Sequence, residues 1–365
     1  MAAKRLSSGS KASLHVRTIT GAVLVLVLLP STFFGDWFFF ALFAIFAVVG
    51  IHELLAASGP KKYNFLVKTA VYLFVLSFIY WTFLKNYLRN KDMFPGGVIQ
   101  LQEMFVSLLG IILYAICLFF IAIVDYKVTL SDVTYLFTVG LIFAVGFQSI
   151  YFLRYFGNCS GVMFHTDETI AVSWGSGTTT FGTYFRDYYQ ALHGHQNWFS
   201  SFVIAFLLIG VWMSDVGAYL IGMLFGKHRM NPRVSPHKTW EGFWGGFVVS
   251  LLSSLGFAAI LEFGFNLPLI PGLLQFSYSP ILDGMGIFHG QAWPLLLLCA
   301  ILMPTIGNVG GFLFSLIKRN YGIKDYGKFF PGHGGVIDRF DSVMVSAMFL
   351  SVVIELSAFG WRFAI

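Results

Sequence analysis

Between Ser315 and Asp341 the chain reads SLIKRNYGIKDYGKFFPGHGGVIDRFD, and this is where its chemistry-bearing side chains concentrate. The segment holds Lys318, Arg319, Lys324, Asp325, Lys328, His333, Asp338, Arg339 and Asp341, in a protein of which only 11% is charged. Ionisable groups beside apolar spans are costly, so this density implies that they act on something. Asp338 and Asp341 stand three apart. On a helix both carboxylates project from one face, within reach of one hard cation. Pro331 and the adjacent Gly334 and Gly335 exclude ordinary helix between them. Glycines let a backbone approach a ligand, and successive N–H groups cradle phosphate. Lys318, Arg319, Lys324, Lys328 and Arg339 supply cationic donors suited to phosphate oxygens. Carboxylates for a metal, cations and a Gly-rich turn together suggest the handling of a polyphosphate. The blander accounts are a positive-inside anchor for the basic residues, a solvated face for the Asp pair and a structural role for His333. Their co-occurrence in one short window favours chemistry.

A second island lies upstream. Asp215 sits inside an apolar run, in Trp212-Met213-Ser214-Asp215-Val216-Gly217-Ala218-Tyr219. A carboxylate there faces a partner or a wet cavity; the alternative is a salt-bridged structural Asp. The following loop carries Gly226-Lys227-His228-Arg229 and then Ser235-Pro236-His237-Lys238-Thr239-Trp240-Glu241-Gly242. Lys238 is suited to grip a phosphate. Glu241, three further on, is suited to a metal or to orienting Lys238. Both islands build one site only if they share a side of the membrane.

The elements that must position them are apolar helices. The chain has 365 residues, 57% of them hydrophobic, with 42 Phe and a net charge of +6. Soluble domains do not have this composition. The fold class expected is an all-α integral membrane protein, a polytopic helical bundle of about nine transmembrane helices. The candidate spans are 18–34, 37–56, 65–84, 104–124, 134–153, 198–225, 242–263, 292–317 and 341–360. Each approaches the roughly 20 residues a crossing needs. Short strands and hairpins give no visible signal, and no internal repeat is found. Residues 1–17 read as a basic cytoplasmic tail, 18–197 as membrane helices with an extracytoplasmic loop, and 198–365 as a C-terminal catalytic region. With the N-terminus in the cytosol, most Lys and Arg fall on the cytosolic side, as do both polar islands. The basic charge therefore points to topology and anionic lipid, not to nucleic acid. Cys117, Cys159 and Cys299 are too dispersed for a disulfide framework or a zinc site. The 154–197 loop holds a sequon in form at Asn158 and His165, His193 and His195, for which a solvated loop is the simpler account. The apolar 264–291 loop has no assigned role.

The residues also carry a resemblance. The order Ser315-x-x-Lys318-Arg319, Lys324-Asp325, Pro331-Gly332-His333-Gly334-Gly335 and Asp338-Arg339-Phe340-Asp341 resembles the signature of the phosphatidate cytidylyltransferase (CDP-diacylglycerol synthase) family. Asp215 with Ala218-Tyr219, followed by Ser235-Pro236-His237-Lys238-Thr239-Trp240-Glu241-Gly242, is similar to a second part of that pattern. The resemblance covers roughly 210–345. Upstream only hydropathy and small features match, such as Val16-Arg17-Thr18-Ile19 and His52-Glu53. His237 stands where eukaryotic members commonly have a first lysine, and Gly310-Gly311 where bacterial members have Gly-Asp, so that metal-ligand role is not carried over. The Gly-Gly pair looks like the eukaryotic branch.

The resemblance implies an integral membrane enzyme making CDP-diacylglycerol and pyrophosphate from CTP and phosphatidic acid with Mg²⁺. Asp338, Asp341 and Asp215, with Glu241 as a further candidate, would hold the metal. Lys238, Lys318, Arg319, Lys324 and Arg339 would neutralise the phosphates, with Lys328 and Ser235 as further binding candidates. The Gly334-Gly335 turn would offer backbone donors, and His333 would act as a donor or proton carrier. The expected partners are CTP, phosphatidic acid and the lipid bilayer, with a second copy of the chain as a candidate and no nucleic acid. The expected location is the endoplasmic reticulum, with the site facing the cytosol. One alternative is another CTP-dependent lipid enzyme such as a polyprenol kinase, distinguished by its products, lipid phosphate and CDP. Another is a transporter, whose charges would be spread through the bilayer depth. A Walker A loop is lacking, as is the linked Asp pattern of CDP-alcohol phosphotransferases.

Overall fold

The computed structural model describes residues 8–34, 36–59, 62–89, 99–155, 172–174, 177–179, 197–265, 269, 293–332 and 334–359. The sequon at Asn158, the histidines of the 154–197 loop, His333 and most of the 264–291 loop lie outside the described residues. Each predicted span coincides with a helix. These are α1 (Ser8–Phe34), α2 (Asp36–Ala57), α3 (Phe65–Arg89), α4 (Ile99–Val124), α5 (Leu130–Tyr155), α6 (Asn197–Phe225), α7 (Trp240–Ala259), α8 (Trp293–Asn320) and α9 (Ile337–Phe359). Among the described residues, 7 helices are long and apolar enough to cross a membrane. The remaining two depart for visible reasons. The apolar part of α1 is Ile19–Phe33 only. Helix α9 begins with Asp338, Arg339 and Asp341, which dilute its hydropathy.

Two short hairpins, of a kind that gives no visible signal in the sequence, accompany the helices. Strand β1 (Val172–Trp174) pairs with β2 (Gly177–Thr179), and β3 (Arg229–Asn231) with β4 (Ser235–Thr239), both antiparallel. The second links α6 to α7. Its strands are too short, and β4 too polar around Pro236, to show an alternating apolar pattern.

Small residues bring α6 and α7 together. Gly242, Gly246, Ser250, Ser254 and Ala258 form a buried stripe along α7 at four-residue spacing. A Cβ on Gly217 of α6 would fall 2.8 Å from Val249, and one on Gly242 would fall 2.8 Å from the Ala218 carbonyl. Lipid offers no hydrophobic drive between helices, so this close approach gains dispersion and interhelical hydrogen bonds instead. Ser250 Oγ, for example, donates to the Gly210 carbonyl at 2.7 Å. Helix α9 packs on α8, α5, α6 and α2. Phe43 and Phe46 of α2 meet Phe340 of α9 at ring distances of 5.8 and 5.5 Å. By contrast, α4 exposes Leu109, Ile112, Leu113, Ile116, Phe119 and Phe120, a lipid-facing surface.

Helix α8 has 28 residues and so is about 42 Å long, more than the roughly 30 Å hydrocarbon layer. Its last turn, with Lys318 and Arg319, therefore extends past the apolar slab. There it meets the α6–α7 hairpin: Arg319 Nε donates to the Val234 carbonyl at 3.2 Å. The two polar islands lie at one end of the bundle.

Candidate active site

The cluster centres on Lys238. Strand β4 delivers it to the start of α7, where Thr239 caps the helix by accepting the Gly242 N–H at 3.1 Å. The Lys238 ammonium donates to Asn308 Oδ1 of α8 at 2.6 Å and lies 4.6 Å from the Phe312 ring centroid. Burial holds the Lys238 pKa below the ordinary lysine range; the charges of Asp215 and Asp341 oppose that shift, and Lys318 adds to it. Three remote segments, α6, β4 and α9, thus place charges within electrostatic reach of one another.

The bare Cα of Gly311 marks where these groups converge. A Cβ there would sit 3.1 Å from Lys238 Nζ, 3.3 Å from Ser342 Oγ and 4.0 Å from Asp341 Oδ2. Beside this point lies a cavity of about 440 Å³, walled by Asp215, Tyr219, Lys238, Thr239, Asn308 and Ser342 among others. Asp341 accepts the Ser342 N–H through Oδ1 at 2.6 Å. The donor set is made of oxygens, which suits a hard divalent cation. No group of three or more His, Cys, Asp or Glu side chains placed for a metal occurs among the described residues. Two carboxylates nonetheless fit Mg²⁺, which commonly takes one or two from the protein and completes its shell with substrate phosphates and water.

Asp338 is occupied differently. Its Oδ1 accepts from Lys318 Nζ at 2.9 Å, and the two side chains are 6% and 12% exposed. Its Oδ2 accepts the N–H groups of Tyr326 and Gly335, each at 2.9 Å. The Asp338–Asp341 pair therefore does not present two open carboxylates to one cation, as the spacing suggested. Three donors already hold Asp338, and it ties the start of α9 to the connecting loop. The Gly334-Gly335 turn departs from expectation in the same way. Gly334 N–H donates to the Phe330 carbonyl at 3.1 Å and Gly335 N–H to Asp338, so these amides serve the fold and do not face a phosphate. Gly334 has φ +91°, and a Cβ there would lie 2.8 Å from Asp338 Oδ2, which accounts for glycine at this position.

The other expected residues divide as follows. Glu241 turns from Lys238 to the 227–228 loop, pairing with His228 Nδ1 at 2.6 Å and accepting the Lys227 N–H at 3.1 Å. It neither orients Lys238 nor faces the cavity. Arg319 is held by the carbonyls of Val234 and Ile323. Ser235 pairs with Asn231 in the β3–β4 hairpin, outside the cavity wall. Lys324, Asp325 and Lys328 are exposed on the loop between α8 and α9. Arg339 is also exposed, and its charge acts on Asp215. Two contributors, Asn308 and Ser342, escaped the sequence reading, and a third, Glu53, was named there only within the His52-Glu53 pair and given no role. Asn308 had a signal, as a lone amide deep in an apolar span. Glu53, buried in α2, accepts the N–H groups of Val336 and Ile337.

Comparisons with known proteins bear on this arrangement. A 36% identical stretch of 151 residues is shared with a phosphatidate cytidylyltransferase of Staphylococcus epidermidis, covering 41% of this chain and 48% of that protein. The enzymes of the same name from Staphylococcus haemolyticus and Staphylococcus aureus are 35% identical over 151 and 150 residues, 41% of this chain and 48% and 47% of theirs. The chain thus spans about half the length of the curated relatives it matches. The profile of the cytidylyltransferase family matches residues 15–357, nearly the whole sequence, and the chain belongs to that family.

Proposed function

We propose that this protein is a phosphatidate cytidylyltransferase, converting CTP and phosphatidic acid into CDP-diacylglycerol and pyrophosphate. The observation that carries the reading is that Lys238 and Asp215 wall one cavity at the end of the bundle, with Asp341 within electrostatic reach of Lys238 beside it. The phosphate of phosphatidic acid attacks the α-phosphorus of CTP, and pyrophosphate leaves with the electrons of the broken P–O bond. The nucleophile is already anionic, so no strong general base is needed. The protein contributes positioning and charge neutralisation. Lys238 supplies a partly buried ammonium, held in direction by Asn308, where phosphate charge accumulates. Asp215 and Asp341, with the Ser342 hydroxyl beside them, would hold Mg²⁺. When bound, the metal neutralises and orients the triphosphate. Arg339, Lys324 and Lys328 are exposed and would attract anionic substrates.

The acceptor reaches this site from the bilayer that surrounds α1–α9. Most charged groups of the two islands gather at one end of the bundle, which favours interfacial chemistry over transport. We propose that the cavity faces the cytosol, supported by the basic charge of that end, in the endoplasmic reticulum as the resemblance to the eukaryotic branch implies. Membranes containing the protein, given labelled CTP and phosphatidic acid, should form labelled CDP-lipid and pyrophosphate only when Mg²⁺ is present. Formation of lipid phosphate and CDP from a lipid alcohol instead would assign a kinase.

A further inference from the structure

Helix α2 lies far upstream of both polar islands, yet it holds the signature turn. Glu53 is 5% exposed, and its two oxygens accept the N–H groups of Val336 and Ile337, each at 3.1 Å. These amides open α9 and have no acceptor within their own helix. On the same side of α2, Phe46 packs on Phe330 and Phe340 at ring distances of 6.0 and 5.5 Å. A Cβ on Gly327 or Gly335 would run into the Glu53 carboxylate, so the loop closes around it. A carboxylate this deep is costly unless hydrogen bonded, and two amides at a helix N-terminus offset that cost. The neighbouring acid, Asp338, takes Gly335 N–H and Lys318. Between them the two carboxylates occupy the anion-attracting end of α9.

We infer that Glu53 is a positioning residue for nucleotidyl transfer: it fixes the first turn of α9 and so sets where Ser342 meets the cavity and where Asp341 stands beside it. It acts through the backbone, not by touching substrate. By filling the helix terminus it also leaves the Lys238 side as the place for phosphate. The inference rests on the proposed reaction for its rate readout, but not for its structural one.

The test uses the full chain in detergent, comparing wild type with Glu53→Gln, Glu53→Ala and a lipid-facing control on the same helix, Val48→Ala. Hydrogen exchange over residues 330–340 is measured beside kcat, the Mg²⁺ concentration giving half-maximal rate, and thermal stability. Glu53→Ala should lose protection at Val336 and Ile337, lower kcat about 100-fold and raise the Mg²⁺ requirement. Glu53→Gln keeps one acceptor and should fall between, and it carries the test if the alanine variant does not fold. Val48→Ala should match wild type. Two results overturn the inference. One is wild-type exchange at these amides in Glu53→Gln and Glu53→Ala. The other is exchange raised evenly over the chain, with lower stability but unchanged kcat per folded molecule and unchanged Mg²⁺ dependence. If wild type makes no CDP-lipid, the reaction proposal fails. Local exchange, with Mn²⁺ binding as the metal readout, then decides the role of Glu53.

Discussion

The two sides of the first turns of α9 carry the same residue type and use it in opposite ways. On one side Asp338 is enclosed by Lys318 and the amides of Tyr326 and Gly335, with Glu53 closing the helix terminus. On the other, Asp341 stands near Gly311 with Ser342 and Lys238, and Asp215, Lys238 and Ser342 wall the cavity beside it. The first side is saturated by protein donors and behaves as scaffold. The second side is less filled by protein donors: Asp341 accepts one amide N–H, and Asp215 and Lys238 wall a cavity. A conspicuous acid in a signature is therefore not by itself a metal ligand; what its oxygens already accept decides.

The largest expected effect is on the open side. Asp341→Asn, or Lys238→Met, should lower kcat about 10²–10³-fold while the protein still inserts and melts near the wild-type temperature. Steady-state assays beside thermal scans check this. The enclosed side should answer in stability instead. Lys318→Ala leaves the Asp338 charge without its ammonium, and breaking a buried pair costs about 3–5 kcal/mol. The fully apolar pair Lys318→Met with Asp338→Leu should lose less than Lys318→Ala in the same thermal scans, despite losing two amide contacts. Gly311→Ala would put a methyl 3.1 Å from Lys238 Nζ, displacing it by a few tenths of an ångström, and should slow turnover about tenfold without unfolding α8. The smallest effect belongs to the exposed loop. Lys328→Ala should change the KM for CTP only a few-fold, and the difference should fade between about 0.05 and 0.5 M salt.

Much of this was legible beforehand. Among the described residues, apolar runs gave the nine α-helices, because bilayer thickness sets a length that hydropathy reports directly. Asp215 and Lys238 stood out because ionisable groups beside apolar spans are expensive. The division between Asp338 and Asp341 was not legible. Helical spacing puts both on a similar face, but the partners of Asp338 come from residues 318, 326 and 335, and loop closure brings them there. Glu241 misled for a related reason, since its three-residue distance from Lys238 crosses the strand–helix junction at Thr239. Glu53 showed only as half of a His-Glu pair within a span. Its partners lie 283 and 284 residues away, beyond anything local pattern can indicate.

The contrast between the two acids is tested most directly by metal binding. Mn²⁺ bound to the purified protein in the presence of CTP is followed by electron paramagnetic resonance in wild type, Asp341→Asn and Asp338→Asn, each checked for folding by melting. The bound signal should persist in Asp338→Asn and vanish in Asp341→Asn. A signal kept by Asp341→Asn and lost by a folded Asp338→Asn would contradict the account.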